Sequence, residues 1–256
     1  MSQTGPYDDP YYLIHEAGSV RSAQVVLSHL FRWFVPRSVI DIGCGHGAWL
    51  AAAETLGSDI LFGVDGPWVD ETQLDSPSIS FRPADLESDV ELPDRYDLCI
   101  SVEVAEHLAP ERAAGFVEML CGASDAVLFS AAPPHQSGLH HVNLQWPSFW
   151  ASLFDERHFE CLDLLRPLIW DNEQVDWWYR QNALLFVKRG SLTIAAIGSQ
   201  PPTPILNIAH PALLASNAHD YQELLTNPTL RSCLAQLKRW LAHRVGLAGQ
   251  STASEG

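Results

Sequence analysis

The 256 residues are 46% hydrophobic and only 18% charged, which suits one packed α/β domain with an accessory tail and excludes global disorder. Lys and Arg number 15 against 31 Asp and Glu, a formal charge of -16. Such a surface repels phosphate backbones, so no nucleic-acid partner is expected. The five cysteines are odd in number, scattered and without a C-x-x-C pair, which fits reduced thiols in the cytoplasm. The N-terminal residues have neither a basic nor an apolar leader, and no apolar run is long enough to span a bilayer; no membrane partner is expected.

Residues 1–17 read as an arm rich in Tyr, Asp and Pro. Val20, Ala23, Val26, Leu27, Leu30, Phe31 and Phe34 recur at helical spacing and predict a helix over 18–34, ended by Pro36. Strands are expected at about 38–43, 59–65, 78–82, 96–102 and 126–131. Ala48–Leu56 reads as a helix following the first strand. A third helix is expected from Pro110 to Cys121, with proline in its first turn. Pro133-Pro134 opens a polar loop, and Pro147–Phe154 begins another helix. Phe159–Leu165 and Asn182–Val187 remain as candidate strands. Beyond Gly190 the pattern weakens: Ser199-Gln-Pro-Pro-Thr-Pro is a linker signal. Residues 228–246 carry Leu230, Leu234, Leu237, Trp240 and Leu241 on one helical face. That stripe suits packing against its own domain, with a homodimer as the second reading.

Four of the strands end in chemistry. The first runs into Asp41-Ile-Gly43-Cys-Gly45-His-Gly47, where glycines at every second position remove the Cβ atoms that keep a ligand from the backbone. The second, Leu61-Phe-Gly-Val-Asp65, ends in an acid about 20 residues beyond that loop, placed to accept from ribose hydroxyls. The third, Phe81-Arg-Pro-Ala-Asp85-Leu86, ends in an acid able to meet an exocyclic adenine amine. The fourth runs into Ser101-Val-Glu103-Val-Ala-Glu106-His107-Leu108. The glycine loop alone also satisfies a dinucleotide fingerprint, so a nicotinamide oxidoreductase stays open at that point.

Taken together, these motifs over residues 20–190 resemble the class I S-adenosylmethionine (SAM)-dependent methyltransferases. The resemblance implies a Rossmann-like α/β fold. Its mostly parallel seven-stranded sheet would carry helices on both faces, an antiparallel last strand and a helical C-terminal extension. It implies residues 1–190 as the methyltransferase domain and 191–256 as linker and extension. It implies SAM as cofactor, held by Asp41, Gly43, Gly45, Gly47, Asp65, Asp85, Leu86 and Glu103. Asp41, two residues before the first glycine, is the acid that the family's first motif carries.

In an open parallel sheet the reacting groups gather at the carboxyl ends of the strands. The loop after the fifth strand holds His135, His140, His141, Asn143, Gln145 and Trp146. A neutral imidazole suits removal of a hydroxyl proton. His141 is the first choice as general base and His140 the second. His135, Asn143, Gln145, Trp146, Trp178 and Tyr179 are candidate substrate contacts, the aromatic ones suiting a sugar or other polyhydroxyl ring. His135, His140, His141 and Glu103 match no metal-ligand spacing, and no metal is expected. His107 reads as stabilising its turn. The expected reaction is methyl transfer to a small-molecule or glycan hydroxyl. Carboxyl or N-methylation and a non-catalytic SAM-binding role are the alternatives.

Overall fold

A computed structural model describes residues 10–198 and 207–226 of the chain. The chain divides into two compact units, residues 1–213 and 214–256. In the first, a seven-stranded sheet is built from β1 (Ser38–Ile42), β2 (Ile60–Asp65), β3 (Ile79–Pro83), β4 (Leu98–Val102), β5 (Ala126–Ser130), β6 (Phe159–Leu162) and β7 (Leu184–Lys188). The order is β3-β2-β1-β4-β5-β7-β6. The first five strands pair in parallel, while β7 runs antiparallel to both β5 and β6. The helices are α1 (Pro10–Leu30), α2 (Ala48–Thr55), α3 (Ala113–Ala123), α4 (Pro147–Asp155), α5 (Arg166–Ile169), α6 (Trp177–Asn182), α7 (Leu192–Ile197) and α8 (Pro211–Thr226). Among the described residues, the second unit holds the later part of α8.

The central strands β1, β4, β5 and β7 are buried on both faces, since successive side chains point to opposite sides and helices cover both. Val39, Leu98, Ile100, Leu128 and Leu185 face one core, shared with Val26, Leu27 and Leu30 of α1 and Leu50 and Ala53 of α2. Ile40, Ile42, Cys99, Val127, Phe129 and Phe186 face the other, shared with Phe116 and Leu120 of α3 and Trp150 and Phe154 of α4. Phe154 and Phe186 stack at 3.9 Å between ring centroids, 9° from parallel. This is the Rossmann-like three-layer arrangement that the strand pattern and the resemblance imply. Strand order reverses between β1 and β4, so the loops after β1 and β4 diverge and leave a crevice at their carboxyl ends.

Several boundaries differ from expectation. The first helix starts at Pro10, not at 18, so part of the expected arm is helical; proline is well suited to a first helical position. It ends at Leu30, with residues 31–33 in a turn. The helix expected from Pro110 begins as a 3₁₀ turn (Pro110–Arg112) before α3. The short α5 and α6 were not expected, and α7 and α8 lie within the expected helical extension but outside its 228–246 stripe. The 199–204 linker signal and the 228–246 helical stripe lie outside the described residues. No helix among the described residues is long and apolar enough to cross a membrane.

Candidate functional site

The glycine loop is held to the carboxyl end of β2. Gly43 N–H and Cys44 N–H both donate to the Val64 carbonyl (2.7 and 3.2 Å). Asp65, the last residue of β2, accepts from Gly45 N–H through Oδ2 (2.7 Å) and from Gly66 N–H through Oδ1 (2.6 Å). Gly43, Gly45 and Gly47 all have positive φ (89°, 54° and 90°), the left-handed region that glycine enters at no steric cost. Two of them are also required by packing within the protein. A Cβ on Gly43 would lie 2.3 Å from Val104 Cγ2, and one on Gly47 2.6 Å from Ile79 Cδ1. Their missing side chains therefore admit protein neighbours, a role that the sequence reading assigned to a ligand.

Asp41 lies inside β1, 1% exposed, and neither of its carboxylate oxygens has a hydrogen-bond partner. Burial, and then the charge of Asp65, push its pKa well above the usual carboxylate value. The same two effects, burial first and then Asp41 and Asp65, raise the Cys44 thiol. Asp85 is exposed and closes a turn by accepting from Glu87 N–H (3.0 Å). The Leu86 side chain belongs to the α3–α4 core, while its carbonyl accepts from Arg112 Nε (3.0 Å).

At the carboxyl end of β4 the chain turns sharply. Glu103 has φ 55°, unusual for a residue with a side chain, and a 3₁₀ turn follows over Ala105–His107. Both Glu103 oxygens are engaged: Gln136 Nε2 donates to Oε2 (2.7 Å) and Asn182 Nδ2 to Oε1 (3.1 Å). Gln136 Oε1 accepts in turn from Asn182 and Gln181 (3.0 and 3.4 Å), and Gln181 Oε1 from His210 N–H (2.7 Å). The sequence reading missed this amide network. Its members are 33 to 79 residues from Glu103, and no local pattern marks them.

The loop after β5 packs onto that turn. Val142 N–H and Asn143 N–H both donate to the Glu106 carbonyl (2.9 and 3.0 Å). Asn143 Nδ2 donates to the Ala105 carbonyl (3.3 Å), and Gln145 Nε2 donates to Asn143 Oδ1 (3.1 Å). Asn143 and Gln145 are thus engaged in holding the loop. His141 Nδ1 lies 3.2 Å from the Gln136 carbonyl, and its ring meets His107 edge-on at 4.9 Å. His135 and His140 are exposed, with φ 76° and 57°. Trp146 is exposed at the start of α4. Trp178 packs against the α1–α2 core. Tyr179 is buried in that core edge-on to Trp49, with its hydroxyl 3.1 Å from Ser19. Burial is the main reason its pKa is pushed up to about 12.

Glu106 is fully buried, and neither carboxylate oxygen makes a hydrogen bond of ordinary geometry. Its pKa is raised well above normal, by burial first and then by Glu103. His107 is lowered to about 4, mainly by burial and then by His141. Among the described residues Glu106, His107 and His141 are the group whose ligand-capable atoms converge, all within 4.8 Å of one another. The set weighed from sequence (His135, His140, His141 and Glu103) does not come together. His107, read there as a turn residue, is at the centre of the cluster.

No curated protein matches the chain. Solved structures share its fold at low identity. The plantazolicin methyltransferase BpumL, solved with a substrate analogue and S-adenosylhomocysteine, is 17% identical. The match covers 72% of this chain and 92% of that one at a TM-score of 0.50. Magnesium protoporphyrin IX methyltransferase from Synechocystis PCC 6803 is 16% identical over 69% of this chain and 87% of that one, TM-score 0.49. An O-methyltransferase family protein from Burkholderia thailandensis is 14% identical over 72% of this chain and 58% of that one, TM-score 0.49. The family model described as a methyltransferase domain matches residues 21–188, which takes in the whole sheet, the glycine loop and the cluster after β4. The chain belongs to that family, the class I SAM-dependent methyltransferases.

Proposed function

We infer that the chain methylates a hydroxyl of a small molecule or glycan. The observation that carries this reading is the docking of the 132–146 loop on the turn after β4, through two main-chain bonds to the Glu106 carbonyl. The docking brings His141 beside His107 at the carboxyl end of the sheet, where α/β folds bind their substrates.

The residues around the glycine loop fit the family's cofactor. Asp41 offers two buried oxygens without a partner, and a cation such as a sulfonium or an α-ammonium group answers them. Gly43, Gly45 and Gly47 would take the methionine end, Asp65 the ribose, and Asp85 with the Leu86 backbone the adenine. Glu103 would face the reacting end. When bound, SAM supplies a methyl group on a sulfonium leaving group. The chain must orient the acceptor and remove its proton. His141 is the candidate base, with His140 on the same loop as second choice. His135, Trp146 and Trp178 are candidate acceptor contacts. An acceptor other than nucleic acid suits the charge of -16.

Transfer of labelled methyl from SAM to a panel of alcohols, sugars, carboxylates and amines tests this reading. Labelling of a hydroxyl, with kcat reduced roughly 10²–10⁴-fold in His141→Ala, is the expected result, the usual worth of a positioned acid–base group. A carboxylate needs no base. Labelling of carboxylates alone, indifferent to His141→Ala, would overturn it.

A further inference from the structure

We propose that Glu106, His107 and His141 form a binding site for a divalent first-row transition-metal ion. The site is assembled by backbone geometry. The 3₁₀ turn Ala105–His107 sends Glu106 inward and places His107 next to it. The two bonds from Val142 and Asn143 to the Glu106 carbonyl then fix the neighbouring His141 against the same turn. One oxygen and two ring nitrogens from residues up to 35 positions apart in sequence lie within 4.8 Å of one another.

Two independent observations point to a cation. The first is Glu106 itself: fully buried, it has only the main-chain N–H groups of Glu106 and Ala132 and a second acid, Glu103, beside its carboxyl, and no cation among the described residues. A buried carboxylate set against a second acid costs several kcal/mol, and a doubly charged ion offsets that cost. The second is what lies behind the imidazoles. Donation from His141 Nδ1 to the Gln136 carbonyl (3.2 Å) selects the tautomer with a lone pair on Nε2. The His107 ring has the carbonyls of His140 and Leu139 beside it. Metal-binding histidines characteristically donate their other ring N–H to such carbonyls.

The donor set decides the class of ion. Two imidazoles and one carboxylate suit zinc, cobalt, iron or manganese, whereas calcium and magnesium favour oxygen cages. Bonds of about 2.0–2.2 Å put ligand atoms roughly 3–4 Å apart, so the cluster must contract by about 1 Å on binding. Three protein ligands leave coordination positions open. An acceptor hydroxyl bound there would lose its proton to water near neutral pH; with the ion bound, His141 Nε2 is a ligand, and the general-base role given to it above applies only to the ion-free site. This last step rests on the hydroxyl reading; the ion site does not.

The test uses the full chain, stripped of metal with EDTA and titrated with Co²⁺ by visible absorption and with Mn²⁺ by calorimetry. One equivalent of ion is expected. Glu106→Gln and His107→Ala should each weaken binding by at least roughly 10–100-fold, the range for losing even an outer partner. Circular dichroism reports whether each variant folds, and His141→Ala, on the loop, supplies a second variant should the buried position not tolerate change. Folded protein that takes up neither ion would overturn the inference, as would uptake undiminished in a His107→Ala/His141→Ala double variant. Hydroxyl methylation lost with EDTA and restored by the ion supports the inference. Hydroxyl methylation unaffected by EDTA overturns the ion's part in removing the hydroxyl proton and leaves the hydroxyl reading standing. Tight Co²⁺ binding without methylation of any hydroxyl leaves the site standing and overturns that reading.

Discussion

Replacing Gly43 by alanine tests how the glycine loop is built. The native φ of 89° carries a cost of about 1–2 kcal/mol for a residue with a Cβ. That Cβ would also lie 2.3 Å from Val104 Cγ2 and 2.8 Å from Cγ1, well inside contact distance. Val104 belongs to the turn whose neighbours anchor the 132–146 loop, so relief by movement is restricted, and overpacking of this kind costs about 1–3 kcal/mol. Gly43→Ala should therefore destabilise the protein by about 2–5 kcal/mol. Val104→Ala removes the obstructing methyls at a cost of about 1 kcal/mol for a half-buried side chain. The double variant should then recover the clash but not the backbone strain, a coupling of about 1–3 kcal/mol. Urea denaturation of the four proteins measures each quantity. Additive effects, or a Gly43→Ala protein as stable as the parent, would refute the reasoning that the loop and the β4 turn are interlocked.

Three further outcomes are expected. Asp41→Asn should raise stability at neutral pH. Because the folded-state pKa of Asp41 is raised, the folded protein binds its proton more tightly than the unfolded chain. Stability therefore falls as pH rises from about 3.8 to the raised pKa and stays low above it; the Asn variant lacks this fall, so denaturation at a series of pH values should show the gap between the two widening through that window. Phe154→Ala removes a fully buried ring stacked at 3.9 Å on Phe186 and should cost about 3–5 kcal/mol, with S-adenosylhomocysteine affinity retained in the folded fraction by calorimetry. Gln136→Ala deprives Glu103 Oε2 of its donor (2.7 Å) and should cost about 1–3 kcal/mol in chemical denaturation.

Much of the sheet can be read from the chain because its strands are short, β-branched runs ending in glycine or an acid, as Val39–Ile42 and Leu61–Asp65 show. The short α6 escaped because Trp177–Asn182 has no periodicity to betray it. α8 escaped because Ser216, Asn217 and His219 dilute its apolar face. In the site, the loop histidines and the acids after β1, β2 and β4 stand out by composition. Which of them meet does not. Convergence of Glu106, His107 and His141 depends on a left-handed residue at Glu103 and on main-chain bonds from Val142 and Asn143 to Glu106, and neither has a local signature. The glycines carry a second lesson. Their spacing reads as room for a ligand, yet Val104 and Ile79 occupy the space beside two of them.

The central claim is that the crevice between the loops after β1 and β4 holds SAM, with Asp65 beside the glycine loop at its edge. Calorimetric titration with S-adenosylhomocysteine and, separately, with NADH tests it most directly, in the parent and in Asp65→Ala, which loses the acceptor for Gly45 N–H and Gly66 N–H. S-adenosylhomocysteine should bind the parent at one site and the variant at least roughly 10-fold more weakly, since each charged hydrogen bond is worth about 1.5–3 kcal/mol, while NADH gives no heat of binding. NADH binding without S-adenosylhomocysteine binding, or equal affinity in the folded variant, would contradict the account.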